Sequence, residues 1–175
     1  MEEPYVIFKD KLNFKWPGSG AFPPHQDFPA YENFVPRSHI TAMITIDKAT
    51  LSNGCLHVAK DWKNTFSKIS AIDQKKLASG QATIPFVEGG EQHGTIETEF
   101  SKLIEWLPLT TSPRDLVIFD SFIPHFSFSN NSAHSRKALF LTYNKLSEGE
   151  HHKDYFSMKR SRPNNPDFHF ATPTS

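Results

Sequence analysis

The chain has 175 residues, a length that suits one domain built around a single core. Its 19 basic and 19 acidic residues cancel, so composition offers no electrostatic footprint for nucleic acid or a charged bilayer. Cys55 is the only cysteine, which excludes an internal disulfide and favours a reducing compartment, here taken as the cytoplasm. No apolar run nears the roughly 20 residues needed to span a membrane. The acidic start Met1-Glu2-Glu3-Pro4 lacks the layout of a secretory signal.

Short strand-like runs separated by turn residues dominate, which favours an all-β sandwich or barrel over a bundle. Tyr5 to Phe8 and Leu12 to Trp16 predict strands, the second ended by Pro17-Gly18-Ser19-Gly20. Pro23 to Asp27 predicts an irregular edge strand, a place in a sheet that tolerates its prolines. His39 to Asp47 gives the clearest strand. Ile40, Ala42, Ile44 and Ile46 share one face, and His39, Thr41, Met43, Thr45 and Asp47 share the other. The second face is mixed, and in a ligand-holding barrel it would point inward. Asn53-Gly54 turns the chain into a strand over Cys55 to Ala59. Asp61 to Gly80 is polar, with Lys75-Lys76-Leu77-Ala78 in a short helix, and this insertion is a candidate lid. Gln81 to Val87, Ile104 to Leu109, Leu116 to Asp120, Phe122 to Phe128 and Arg136 to Asn144 complete the strands. Residues 1–146 thus form the domain, and 147–175 a polar C-terminal tail with few residues to bury. Eight or nine short strands suit a double-stranded β-helix, a cupin-like jelly roll with a few short helices.

His25-Gln26-Asp27 is answered by His125 and then by Arg136. Residues at i and i+2 of an extended strand share a face, so His25 and Asp27 can point together. Two imidazoles and one carboxylate on one face of a metal leave three positions open, the arrangement that holds iron in non-heme Fe(II) oxygenases. A zinc or manganese hydrolase needs only such a triad and a water. An oxygenase using 2-oxoglutarate also needs a buried cation for the cosubstrate's far carboxylate, and the planar fork of arginine fits that task. Trp16, Phe28, Tyr31 and Phe34 flank the motif and divide evenly between pocket wall and core. Their ring faces could hold a substrate ammonium by cation–π attraction. His39, His57, His93 and His134 read as structural or exposed. In the basic run Lys159-Arg160-Ser161-Arg162, one cation could meet an oxyanion if the tail folds over the barrel mouth.

At Pro24-His25-Gln26-Asp27, at Asn53-Gly54-Cys55-Leu56, and from His125 through Asn131 and Arg136 to Tyr143, the chain resembles the phytanoyl-CoA dioxygenase family of Fe(II)/2-oxoglutarate oxygenases. The resemblance runs from Phe8 to Tyr143. Lys15-Trp16-Pro17-Gly18 and Asp154-Tyr155-Phe156-x-Met158-Lys159-Arg160 are most similar to the branch that hydroxylates small organophosphonates. The resemblance implies Fe(II), 2-oxoglutarate and dioxygen, with His25, Asp27 and His125 as the catalytic iron ligands and Arg136, Ser127 and Lys15 around the cosubstrate. It implies hydroxylation of an unactivated C–H bond of a small molecule, because related halogenases replace the carboxylate that Asp27 supplies. The residues alone suggest a hairpin about Asn130-Asn131; the resemblance implies that this loop crosses between sheets. Met43 falls where several relatives carry a tryptophan beside the cosubstrate. Only 24 residues precede His25, so a helical N-terminal region common in the family is expected to be missing. A catalytically silent fragment or metal-binding scaffold is therefore the alternative, with the zinc or manganese hydrolase third. Substrate identity and oligomeric state stay open.

Overall fold

The computed structural model describes residues 3–72, 83–87 and 93–161. Eight strands run in chain order: β1 (Tyr5–Lys15), β2 (Phe22–His25), β3 (Ile40–Thr45), β4 (Leu56–Ala59), β5 (Trp106–Leu109), β6 (Leu116–Asp120), β7 (His125–Ser127) and β8 (Arg136–Lys145). They form two four-stranded sheets of order β1-β8-β3-β6 and β2-β7-β4-β5. The pairs β1–β8, β2–β7, β3–β6 and β4–β5 are all antiparallel. That nesting is what results when a chain doubled at the β4–β5 connection is wound into a barrel, the jelly roll. β7 and β8 belong to different sheets, so the loop through Asn130 and Asn131 crosses between them rather than closing a hairpin.

The sheets divide polar from apolar in an unusual sense. On β3 the mixed face points in, with His39, Thr41, Met43 and Thr45 buried, while Ile46 just beyond the strand is exposed. On β6, Leu116 and Ile118 point outward and stay exposed, and Phe119 is buried. Register places Leu12, Leu139, Ile44 and Leu116 in one outward row across the sheet. A barrel that must hold a polar ligand lines its interior with polar groups, which reverses the usual alternation.

β1 is one continuous strand, where two were expected. A bulge at Phe8 turns both Phe8 and Lys9 toward Tyr31, and the ladder to β8 then runs unbroken through Lys11 and Lys15. Lys9 and Lys11, which lie between the two expected strands, face the cavity. β2 is an edge strand, as its prolines require. Phe86 contributes only an isolated bridge to Ile96 in place of the strand expected over Gln81 to Val87; Gln81 and Ala82 lie outside the described residues.

Three helices complete the described structure: α1 (Trp62–Ile72), α2 (Thr98–Ser101) and α3 (His152–Ser161). The insertion read as a lid begins with α1. Its Trp62 and Phe66 pack on a cluster of Ala59, Ile84, Ile96 and Ile104, and its described side chains do not line the cavity. The short helix expected at Lys75 to Ala78 lies outside the described residues. Among the described residues no helix is long and apolar enough to cross a membrane.

The stretch read as a polar tail holds α3. Asp154 in its first turn and Lys159 and Arg160 in its last complement the helix dipole. Tyr155 is buried against Phe8, Tyr31 and Phe34, and His152 Nε2 lies 2.7 Å from Asp10 Oδ1 on β1. Only Tyr155, Phe156 and Met158 are apolar in this helix, which is why its periodicity is weak. Removing the Tyr155 ring should cost about 3 kcal/mol, the usual scale for deleting a buried aromatic side chain. Urea unfolding of Tyr155→Ala measures it; a loss under about 0.5 kcal/mol would mean that α3 is not part of the core.

Candidate active site

β2 and β7 bring two histidines face to face. His25 and His125 are Cα partners in this antiparallel pair, and their rings lie 4.2 Å apart. His25 Nδ1 lies 2.8 Å from the Pro23 carbonyl oxygen, and His125 Nδ1 lies 2.9 Å from that of Ile123. A carbonyl only accepts, so each Nδ1 carries the proton and each Nε2 keeps a lone pair for the cavity. That is the tautomer a metal-binding imidazole needs.

Asp27 joins them by a different backbone route from the one expected. β2 ends at His25, and Asp27 has helical dihedrals (φ −74°, ψ −32°) at the head of a 3₁₀ turn over Phe28–Tyr31. The N–H groups of Asp27 and Phe28 both donate to the Ser121 carbonyl, at 3.0 and 3.1 Å. Its carboxylate lies 3.9 Å from His25 Nε2, and ligand atoms of His25, Asp27 and His125 all fall within 4.8 Å of one another. Gln26, between the ligands, is 1% exposed and ties the loop down. Its amide donates to the Phe122 carbonyl at 2.5 Å and accepts from the Ile84 N–H at 3.0 Å. The sequence reading missed that anchor, since a glutamine between two ligands carries no periodic signal.

Electrostatics keep the trio ready to ligate. Burial, reinforced by His125, holds the His25 imidazolium down to about 3. Burial pushes the Asp27 carboxyl up, but Lys9, the two histidines and Lys11 together outweigh it and hold the group at about 2. The His25 ring is therefore neutral and the Asp27 carboxylate charged at neutral pH.

The same cavity is lined by Lys15 and Arg136, directly paired between β1 and β8. Both are buried, at 2% and 7% exposure, and no carboxylate of the described residues lies at ion-pair distance from either. Arg136 Nε is buried without a hydrogen-bond partner. Lys15 Nζ donates to Ser127 Oγ at 2.9 Å, which leaves the serine hydroxyl proton free to turn elsewhere. Burial, then the Arg136 charge, pulls the Lys15 ammonium down to about 8. Gly54 (φ +73°) lets the backbone pass beside Lys15; a Cβ there would strike the Phe128 carbonyl and sit 2.7 Å from Lys15 Cε. One cavity, about 1130 Å³ including its open mouth, contains the triad, Lys15, Ser127 and Arg136. All six residues singled out from the sequence therefore meet in one space.

The remaining candidates separate. Trp16 is 60% exposed and stacks on Phe14, while Phe28 and Phe34 are buried in the core. Tyr31 does line the cavity, but the cation over its ring is the chain's own Lys9, 4.5 Å from the centroid. Met43 is buried in a cluster with Leu56, Phe119 and Ala138. His57 packs on Phe126, and His134 is exposed. His93 lines the cavity and lies 3.6 Å from Glu32. Lys159 is buried against the cavity, Arg160 is exposed, and Arg162 lies outside the described residues.

A jelly roll whose cavity is lined by two histidines, a carboxylate and buried cations defines a class of metal-site protein. The phytanoyl-CoA dioxygenase (PhyH) family matches residues 4–138, and the chain belongs to that family. It is 41% identical over 162 residues to a 2-aminoethylphosphonate dioxygenase of the uncultured bacterium HF130_AEPn_1, covering 93% of this chain and 54% of that protein. It is 36% identical over 160 residues to a methylphosphonate hydroxylase of Gimesia maris, covering 91% and 53%. The chain thus spans about half the length of these curated relatives. The fold is similar to that of EctD from S. alaskensis solved with 2-oxoglutarate and 5-hydroxyectoine (TM-score 0.59, 18% identity, 83% of this chain and 46% of that one). It is also similar to the epimerase SnoN solved with Fe3+, alpha ketoglutarate and nogalamycin RO (TM-score 0.59, 14% identity, 82% and 51%).

His39 supplies a pH test of this interior. It is fully buried among Phe8, Tyr31 and Phe28 with neither ring nitrogen hydrogen-bonded. Burial, then the Lys9 charge, holds its pKa at about 4 against an ordinary 6.5. Between these values the unfolded chain binds a proton that the folded chain refuses, so stability is full above pH 6.5 and falls as pH drops toward 4. The loss attributable to His39 is on the order of 3 kcal/mol at about 1.4 kcal/mol per pH unit. Urea unfolding between pH 7 and 4 should show a shallower decline in His39→Leu than in the wild type; equal slopes would contradict the assignment.

Proposed function

We propose that the protein is an Fe(II)- and 2-oxoglutarate-dependent dioxygenase that hydroxylates an unactivated C–H bond of a small organophosphonate. The observation that carries this is the pair of buried cations, Lys15 and Arg136, facing the triad without an acid to balance them. A hydrolase using the same triad has no use for such a pair. A keto-acid with a second carboxylate does.

The residues present fit both groups. His25 Nε2, His125 Nε2 and an Asp27 oxygen would hold the metal, and the unpartnered Arg136 Nε marks where an anion belongs. Bound iron with 2-oxoglutarate supplies the oxidative chemistry, in which dioxygen is spent on decarboxylating the keto-acid and hydroxylating the substrate. The chain supplies orientation. Arg136 offers its fork to the far carboxylate, Ser127 donates its free hydroxyl proton, and Lys15 adds charge while holding Ser127 in place. The carbonyls of Pro23 and Ile123 fix both imidazoles, so neither ring can turn its protonated nitrogen toward the metal. Asp27 fills with a carboxylate the position that halide chemistry leaves open, which favours hydroxylation. Likeness to the phosphonate dioxygenase and hydroxylase supports the substrate class. A single buried free cysteine, Cys55, supports a reducing compartment such as the cytoplasm for the reaction.

Two variants separate the parts. Asp27→Ala should lower Fe(II) affinity by tenfold or more and abolish succinate release with methylphosphonate. Arg136→Ala should keep Fe(II) affinity within about threefold while 2-oxoglutarate affinity falls about a hundredfold, the scale of a lost charge-assisted pair at roughly 3 kcal/mol. Calorimetric titration checks both; unchanged 2-oxoglutarate binding in Arg136→Ala would favour a hydrolase or a silent scaffold.

A further inference from the structure

The cavity holds a second group of cations, at the end away from Arg136. Along β1, Lys9, Lys11, Asn13 and Lys15 alternate with outward residues, and all four line the cavity. At roughly 6.6 Å per two residues, Lys9 stands about 20 Å along the strand from Lys15. Register sets Lys15 against Arg136 but Lys11 against Phe140 and Lys9 against Thr142. Lys159, the inward side chain of α3's last turn, reaches the same end.

Lys9 stands beside Tyr31 and Tyr155, Lys159 follows Tyr155 by one helical turn, and Lys11 is the next inward residue along β1, between Lys9 and Lys15. Lys9 Nζ donates to the Tyr31 hydroxyl, and Lys11 Nζ lies 5.9 Å from the centre of the Phe22 ring. Neither has a carboxylate at ion-pair distance among the described residues. Asp27 is the one acid among the described residues lining this cavity, and it belongs to the triad. Burial, followed by the charges of Lys9 and Lys159, pulls Lys11 down to about 8. Burial and Lys9 also lower Lys159. Asp27 offsets part of the charge of Lys9 and Lys11, and one carboxylate between two buried lysines leaves positive charge that a further anion can complete. Lysine acts as a point charge, and three of them match the three oxygens of a tetrahedral oxyanion better than the two of a carboxylate.

Resting on the oxygenase assignment above, we propose that Lys9, Lys11 and Lys159 form the subsite that grips the substrate's phosphonate group, separate from the cosubstrate carboxylate site at Arg136, Ser127 and Lys15. A substrate anchored there presents the carbon next to phosphorus toward the His25–Asp27–His125 side of the cavity. The same charge repels an ammonium, so a substrate amine must point away from these lysines.

The test is calorimetric titration of methylphosphonate and, separately, 2-oxoglutarate. Methylphosphonate is added to metal-free protein and to protein loaded with Fe(II) and 2-oxoglutarate without oxygen. Lys11→Met and Lys159→Met should each weaken methylphosphonate tenfold or more in the loaded protein, with 2-oxoglutarate bound within twofold of wild type. Lys11→Arg should recover most of the methylphosphonate affinity, and ethylamine should not bind. Unchanged cosubstrate binding also establishes that the variants are folded. Wild-type methylphosphonate affinity in both Met variants would overturn the subsite, as would saturable methylphosphonate binding that is lost only in Arg136→Ala. An absence of saturable methylphosphonate binding to loaded wild-type protein would overturn it too. Failure of wild-type protein to bind 2-oxoglutarate is a different outcome, which sinks the oxygenase assignment itself.

Discussion

Positive charge buried without a partner is the constraint on which the rest of this structure depends. Lys15 and Arg136 stand side by side on adjacent strands, screened from solvent and unmatched by any acid of the described residues. Lys15 can shed part of the cost by releasing its proton, but arginine cannot. On the proposed function, an anion that arrives from outside offsets this cost. The polar inner faces of β1, β3 and β8, with apolar residues turned outward on β3 and β6, follow from the same demand.

The triad completes the picture because it sits in the same cavity with its proton inventory already set. The carbonyls of Pro23 and Ile123 settle which nitrogen each histidine offers. Neighbouring lysines keep Asp27 ionised despite burial. Gln26 and the Ser121 carbonyl hold the loop that carries both ligands, so the metal-binding geometry rests on hydrogen bonds from three separate segments. Two imidazoles held by backbone carbonyls, a charged carboxylate and a cationic wall together fit a metal that chelates a dicarboxylic keto-acid. Each part alone would fit many proteins.

Much of this was legible in the sequence, for identifiable reasons. The two unlike faces of His39 to Asp47 foretold a polar barrel interior, because alternation survives in a strand whichever face is wet. His25, Asp27, His125 and Arg136 could be linked because metal and carboxylate chemistry demand those side chains at distant points of one fold. What escaped was whatever looked polar for the wrong reason. Lys9 and Lys11 fell between the two strands expected over Tyr5 to Phe8 and Leu12 to Trp16, and α3 resembled a solvated tail because Tyr155 is its one buried apolar anchor. The backbone of Asp27 also escaped, since the i and i+2 spacing is equally compatible with a strand that ends two residues earlier, at His25.

The most direct test of the central claim adds Fe(II) and then 2-oxoglutarate to the protein without oxygen while the visible spectrum is followed. A metal-to-ligand charge-transfer band that saturates with 2-oxoglutarate, and requires far more of it in Arg136→Ala, is the predicted result. A folded protein that shows no such band, or an Arg136→Ala band that saturates as the wild type does, would contradict the account.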